Sequence, residues 1–255
     1  MILPEIKHIL ELRNISYTPP KVDLKQKENT DSLILNNISF GIEHGEIFGI
    51  TGESGSGKTT LGRIICGLIN QTSGEKVFFG EKFYGIHPDR SIQFLFQNYS
   101  ASHDPSQKNR DALKEVFALK QPNSNFDEFA KRLLHKVKLN ENVLELFPYE
   151  LSGGQQQRLA LAKILALNPK LIILDEPFAS QDVTAQHELI DLLLDLNRTE
   201  KLTIICISHD LFILRKLCSR IMIMNHGQIV EILRSDELFT NPKRDYTKLL
   251  VRSFV

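Results

Sequence analysis

Residues Gly52 to Thr60 read GESGSGKTT, and the fold follows from how that stretch is read. Gly52, Gly57, Lys58 and Thr59 occupy the defining positions of the pattern G-x-x-x-x-G-K-[ST], with Glu53, Ser54, Gly55 and Ser56 between them and Thr60 after. The apolar run Ile47 to Ile50 precedes it, and Leu61 to Ile69 reads as a buried amphipathic helix. A glycine-rich loop between strand and helix turns its backbone with positive φ and aims successive N–H groups inward, while the helix offers the same anion its positive end. A triphosphate fits such a cradle. Lys58 would reach the β- and γ-phosphates, and the Thr59 hydroxyl would ligate Mg²⁺.

Working outward from the loop, Leu10 to Tyr17 and Leu33 to Ile42 alternate apolar and polar residues and are expected as strands of an antiparallel layer. Thr18 to Ser32, with Pro19-Pro20 and a charged run, is expected as a solvated loop, and Glu43 to Glu46 as a turn centred on Gly45. Val77 to Phe96 holds short aromatic-rich runs, with Phe94, Leu95 and Phe96 the expected buried strand before Gln97. Asn98 to Asn125 reads as polar and irregular; Phe129, Leu133, Leu134 and Val137 then keep a helical spacing, so this region is expected as a helical insertion outside the main sheet. Ser152 to Leu167 reads as a helix capped by Ser152 and closed by Asn168-Pro169. LIIL (Leu171 to Leu174) and TIICI (Thr203 to Ile207), separated by a helix over roughly Thr184 to Asn197, form a strand–helix–strand unit of a parallel sheet buried on both faces. Asp210 to Cys218 reads as helix, Ile221 to Met224 and Gln228 to Ile232 as a hairpin around Asn225-His226-Gly227, and Asn241 to Val255 as a short mixed tail.

The chain has 255 residues, enough for a large core, and 31 basic residues balance 31 acidic ones. That balance removes any case for a general nucleic-acid binder or a polybasic membrane tail. No apolar run approaches the length of about 20 residues that spans a bilayer, and MILPEIKHIL carries charges among its apolar residues, unlike a signal peptide. Membrane attachment is therefore expected through protein partners. Cys66, Cys206 and Cys218 lie far apart among aliphatic residues, without ligand spacing, and read as buried reduced thiols.

Two further stretches carry chemistry. Asp175 and Glu176 end the strand LIIL, at the carboxyl edge where parallel sheets gather ligands. Asp175 suits a Mg²⁺ contact and Glu176 the base or water-positioning role in attack on the γ-phosphate, with helix capping as the structural alternative for one of the two. LSGGQ at Leu151 to Gln155 places Ser152, Gly153, Gly154 and Gln155 at a helix start whose N–H groups and dipole also face an anion. One triphosphate needs one cradle. Both are used if a triphosphate is closed between two chains, each giving its loop to one face and its LSGGQ to the other.

GESGSGKTT, Gln97, LSGGQQQR, LIILDEP, SQD at Ser180 to Asp182 and SHD at Ser208 to Asp210 stand in the order and spacing of the ATP-binding subunits of ABC transporters, which the chain resembles over almost its whole length. The resemblance implies ATP and Mg²⁺ as cofactors, with Thr59, Gln97 and Asp175 around the metal. It further implies that Tyr17 stacks on adenine, that Gln97 senses metal and attacking water, that His209 contacts the γ-phosphate, that Asp182 lies at a dimer seam, and that Ser152, Gly154 and Gln155 serve the opposite nucleotide. Tyr17 also reads as a half-buried strand aromatic, Gln97 as a strand-end polar residue, and His209 as a helix cap with Ser208. A finer resemblance is to the subunits of importers for oligopeptides, dipeptides and nickel or metal chelates, carried by GESGSGKTTLGR, the charged insertion after Tyr17, SASHDP at Ser100 to Pro105 and the ending NPKRDYTKLL. Leu61-Gly62-Arg63 is similar to the later of two different ATP-binding subunits. Arg244-Asp245-Tyr246-Thr247 departs from that subfamily's usual His-Pro-Tyr-Thr, and a cysteine-bearing extension is absent.

The expected fold is an α/β P-loop ATPase core with an antiparallel β layer and an inserted helical subdomain at about 98–166, in one domain of 1–255. The expected function is ATP hydrolysis driving solute import. The expected partners are a second, non-identical ATP-binding subunit, two membrane permease subunits docking near Gln97 to Pro105, and an extracytoplasmic solute-binding protein, with no nucleic acid; the expected place is the cytoplasmic face of the cell membrane. The rivals are a soluble assembly or mechanical ATPase and a catalytically silent regulatory subunit.

Overall fold

The computed structural model describes residues 8–20, 33–87, 90–119, 125–179 and 181–253. The elements run β1 (His8–Tyr17), β2 (Leu35–Glu43), β3 (Ile47–Gly52), α1 (Lys58–Cys66), β4 (Ser73–Phe78), β5 (Glu81–Phe83), β6 (Ile92–Leu95), α2 (Asn109–Ala118), α3 (Phe126–Lys136), α4 (Gly153–Ala166), β7 (Leu171–Asp175), α5 (Val183–Glu200), β8 (Thr203–Ile207), α6 (Leu211–Leu217), β9 (Arg220–Asn225), β10 (Gln228–Arg234) and α7 (Asp245–Arg252).

Two sheets organise them. The first is antiparallel in the order β2-β1-β4-β5; the second has the order β10-β9-β3-β8-β7-β6 and is parallel except for its edge hairpin β9-β10. The α/β architecture expected from the sequence, with a separate antiparallel layer, is the one observed.

The unbroken apolar strands have a simple cause. Successive side chains of a strand point to opposite faces, and the parallel sheet lies between two cores. Ile172, Leu174, Ile204, Cys206, Ile221 and Ile223 enter one core with the helices α2 to α6. Leu171, Ile173, Ile205, Ile207, Met222 and Met224 enter the other with α1 and the antiparallel layer. Both faces are dry, so neither can alternate to polar.

Several boundaries differ from the sequence reading. Phe94 and Leu95 are buried, but β6 stops at Leu95 and Phe96 is exposed, because the chain there leaves the sheet for the cavity described below. The stretch Asn98 to Asn125 is less irregular than expected: it holds α2, which buries only Ala112, Leu113 and Phe117 among its apolar residues and so shows little periodicity in one dimension. α3 and α4 pack on it. The tail is not mixed but forms α7. Most of the loop after Tyr17, residues 21–32, lies outside the described residues, as does Ser180.

Candidate active site

β3 is buried at every residue and is held on both sides, by β8 as far as the pair Ile50–Ile207 and by β9 as far as Gly52–Met224. At Gly52 the backbone has φ 144°, and a Cβ would stand 2.1 Å from the Met224 carbonyl oxygen. Gly57 has φ 97° and would press a Cβ to within 2.7 Å of Leu35. No other residue type enters these two positions without moving backbone or the core. The loop thus turns in a single residue's space and delivers α1 with Lys58 and Thr59 in its first turn.

The Lys58 ammonium donates to the carbonyls of Gly52 and Glu53, each at 2.8 Å, and lies 3.3 Å from Ser56 Oγ. Burial lowers its pKa, opposed by the charges of Glu176 and Asp175. Thr59 donates its hydroxyl to Asp175 Oδ1 at 3.1 Å. Asp175 is buried at the end of β7, and that burial raises its pKa, with the neighbouring Glu176 charge adding to the rise and the Thr59 bond opposing it. Glu176 sits in the left-handed region at φ 49°, its N–H bonded to the Ile207 carbonyl at 2.9 Å. This kink brings its carboxylate to His209, which follows β8.

These ends open into one cavity of about 730 Å³, lined by Gly52, Ser54, Gly55, Gly57 to Thr60, Gln97, Asp175, Glu176 and His209. Glu53 and Ser56 stand behind the loop, holding Lys58, and do not line the cavity; Tyr17 lies at the end of β1, half-buried and also outside the lining. Leu33, Ile34 and the hairpin turn His226-Gly227 do line it. In the sequence these two residues show only a turn signature; the Gly227 N–H donates to the Ser56 carbonyl at 3.2 Å, a contact that depends on β9 running beside β3.

A second cavity, of about 420 Å³, shares no lining residue with the first. Ser152 to Gln155 and Asp182 line it, together with Tyr99 and Arg158. Ser152 caps α4: its Oγ accepts the Gln155 N–H at 3.3 Å, and the Gln155 side chain accepts the Ser152 N–H at 2.9 Å. A Cβ on Gly154 would meet nothing within 4 Å, so the helix start faces open space. Asp182 caps α5 by accepting the Ala185 N–H at 2.9 Å. Buried Gln157 donates to the Pro177 carbonyl at 2.6 Å and bonds the Gln181 amide, tying the helix of the second cavity to the chain immediately after Glu176. Nothing in the spacing of LSGGQQQR announced that link.

A family model described as ABC transporter matches residues 35–179, more than half of the chain and all of the loop, Gln97, LSGGQ and LIILDE. The chain belongs to the ABC transporter family. This ABC chain is 38% identical over 254 residues to the oligopeptide transport ATP-binding protein OppF of Streptococcus mutans, covering 96% of this chain and 81% of that relative. It is 34% identical over 262 residues to the dipeptide transport ATP-binding protein DppF of Lactococcus lactis subsp. cremoris, covering 98% and 82%. Among solved structures it matches an ATP-binding cassette in a dimeric post-hydrolysis state bound to ADP and Pi, with a TM-score of 0.76, 27% identity and coverage of 89% of this chain and 98% of that one. The chain is an ABC ATPase that binds ATP and couples its hydrolysis to transport. Among the described residues, no helix of this ABC ATPase is long and apolar enough to cross a membrane.

Proposed function

We propose that this chain is the ATP-hydrolysing subunit of a peptide importer, working at the cytoplasmic face of the membrane against separate permease subunits and a second ATP-binding subunit, with an extracytoplasmic binding protein delivering the solute. The names of the relatives favour peptides over nickel or other chelates as cargo. The segment at about 98–166 acts as the helical subdomain through which the permeases are moved.

The single observation that carries the mechanism is the separation of the two cavities. Each offers backbone N–H groups at a helix start, and they share no lining residue, which supports a reading in which each serves a different nucleotide. A head-to-tail pair completes two sites, and ATP favours the closed pair because only that state contacts the γ-phosphate from both sides.

Within a site the residues divide the work. Lys58 exchanges its loop carbonyls for the β- and γ-phosphates. Glu176 takes the proton of the attacking water, held in place by His209, and Gln97 lines the same wall. Tyr17 would stack on adenine from β1, and Asp182 lies on the face that meets the second chain. The site fits Mg²⁺: Thr59 and Asp175 bring a hydroxyl and a carboxylate together, and burial makes Asp175 costly to ionise without a cation. Among the described residues no group of three or more His, Cys, Asp or Glu side chains could hold a metal ion. When bound, Mg²⁺ neutralises charge on the phosphates.

The test is Glu176→Gln in the assembled transporter. Hydrolysis should fall by a factor on the order of 10² or more while ATP stays bound; turnover at the native rate would refute the assignment.

A further inference from the structure

The segment that follows Gln97 is fastened to the helix that carries LSGGQ. The turn Tyr99–Ser102 packs on α4, and a Cβ on Gly153 would stand 3.5 Å from the Tyr99 hydroxyl. His103, the next residue, is buried. Its Nε2 lies 3.0 Å from the Gln156 carbonyl oxygen in the first turn of α4. Its Nδ1 lies 3.2 Å from the ammonium of Lys163, which follows about two turns further along the same helix. Gln156 in turn donates its side-chain amide to the carbonyls of Pro148 at 2.9 Å and Leu151 at 3.3 Å, on the stretch that leads into Ser152.

The partners assign the protons of the ring. An ammonium only donates and a carbonyl only accepts, so Nδ1 is the bare acceptor and Nε2 carries the N–H. A neutral imidazole satisfies both partners in that one tautomer. Burial, with the Lys163 charge adding to it, holds the His103 pKa below its ordinary 6.5, opposed by the Gln156 bond. Burial also lowers the Lys163 pKa, but the charges of Glu115 on α2 and of Asp104 beside the ring oppose that and favour the ammonium. Neither His103 nor Lys163 lines either cavity. The contact therefore acts on nucleotide only through the helix.

We propose that His103 is a positioning residue for ATP hydrolysis: by joining Lys163 and the Gln156 carbonyl, it makes the chain after Gln97 and the LSGGQ helix move as one body. Gln97 lines the loop cavity and Ser152 to Gln155 line the second, so a displacement of the segment at one is carried to the other. This rests on the reading of LSGGQ as the half-site for a neighbouring chain's nucleotide.

His103→Leu keeps the bulk and removes both bonds, whereas His103→Gln keeps an amide that donates to Gln156, accepts from Lys163 and takes up no charge. In the assembled transporter at saturating ATP, His103→Leu should lower turnover about tenfold with the KM for ATP within about twofold of the parent. His103→Gln should recover at least about half of the parent turnover, since it restores both hydrogen bonds. Lys163→Met should cost about threefold in the parent and nothing further in the His103→Leu background. Parent turnover in His103→Leu, a loss that His103→Gln fails to relieve, or losses that multiply in the double variant overturn the positioning role. If His103→Leu does not fold, parent turnover in Lys163→Met overturns it and the threefold loss upholds it. If Ser152→Arg itself leaves hydrolysis intact, the half-site reading falls and takes this inference with it; a loss there with a silent His103→Leu removes the positioning role alone.

Discussion

Nδ1 of His209 lies 3.0 Å from Oε2 of Glu176. A carboxylate only accepts, so the Nδ1 proton is donated to Glu176 and the ring is oriented by it. The contact exists because β7 and β8 are neighbours in register, Asp175 opposite Ile207, so that the residues just past each strand end meet. Glu176 is largely covered, with 17% of its side chain exposed, whereas His209 is 71% exposed. The imidazole is therefore the member of the pair that can reach a phosphate held in front of it.

His209→Ala is expected to lower turnover by a factor on the order of 10² while leaving ATP affinity within about threefold, because Lys58 and the loop supply most of the binding. Steady-state hydrolysis set beside equilibrium binding checks this. Unchanged turnover would leave the Glu176–His209 contact with no part in catalysis.

Ser152→Arg puts a cation and a long side chain at the start of α4, in the second cavity. Nucleotide binding to the same chain should be spared, since that cavity and the loop cavity share no residue. Cooperative hydrolysis should be lost. Weakened binding by the isolated variant would contradict the division into two half-sites.

Asp175→Asn should separate stability from function. Burial raises the Asp175 pKa above its ordinary value of 3.8, so at neutral pH the ionised group destabilises the nucleotide-free fold, a cost that appears as pH rises through that range. The asparagine still accepts the Thr59 hydroxyl and carries no charge. A rise in the melting midpoint of about 2–4 °C without nucleotide is expected, together with loss of Mg²⁺-dependent hydrolysis. A lower midpoint would refute the electrostatic part.

Lys76 is buried against the end of α1, donating to the Ile64 carbonyl at 2.8 Å, and burial pushes its pKa down to about 8 from 10.5. The unfolded chain then binds more protons between those values, so stability rises with pH across that window. The buried Cys66 thiol, pushed up to about 11, works the other way above its ordinary 9.0, so the comparison is with Lys76→Met. The parent's melting midpoint should gain on the variant's from about pH 8 to 10; a constant difference would show Lys76 to be ordinary in titration.

What was legible in the sequence was whatever local geometry enforces. The loop, the capped start of α4 and the carboxylates ending β7 are each set by a few adjacent residues, and the two-faced burial of β7 and β8 shows as unbroken apolar runs. The rest depends on sequence-distant neighbours. His226 and Gly227 reach the loop cavity through the β3–β9 pairing, and Gln157 meets Pro177 across two elements. α2 escaped notice because polar residues hold most of its surface and few apolar ones mark its buried face.

The central claim is that the LSGGQ face of one chain completes the nucleotide site of another. It is tested most directly by the structure of the ATP-loaded transporter carrying Glu176→Gln, in the distance from Ser152 Oγ to the nearest phosphate. The account predicts a hydrogen bond of about 2.7–3.2 Å to the γ-phosphate of a nucleotide held by the neighbouring subunit's loop. A closed, ATP-filled pair with Ser152 and Gly154 turned away from every phosphate would contradict it.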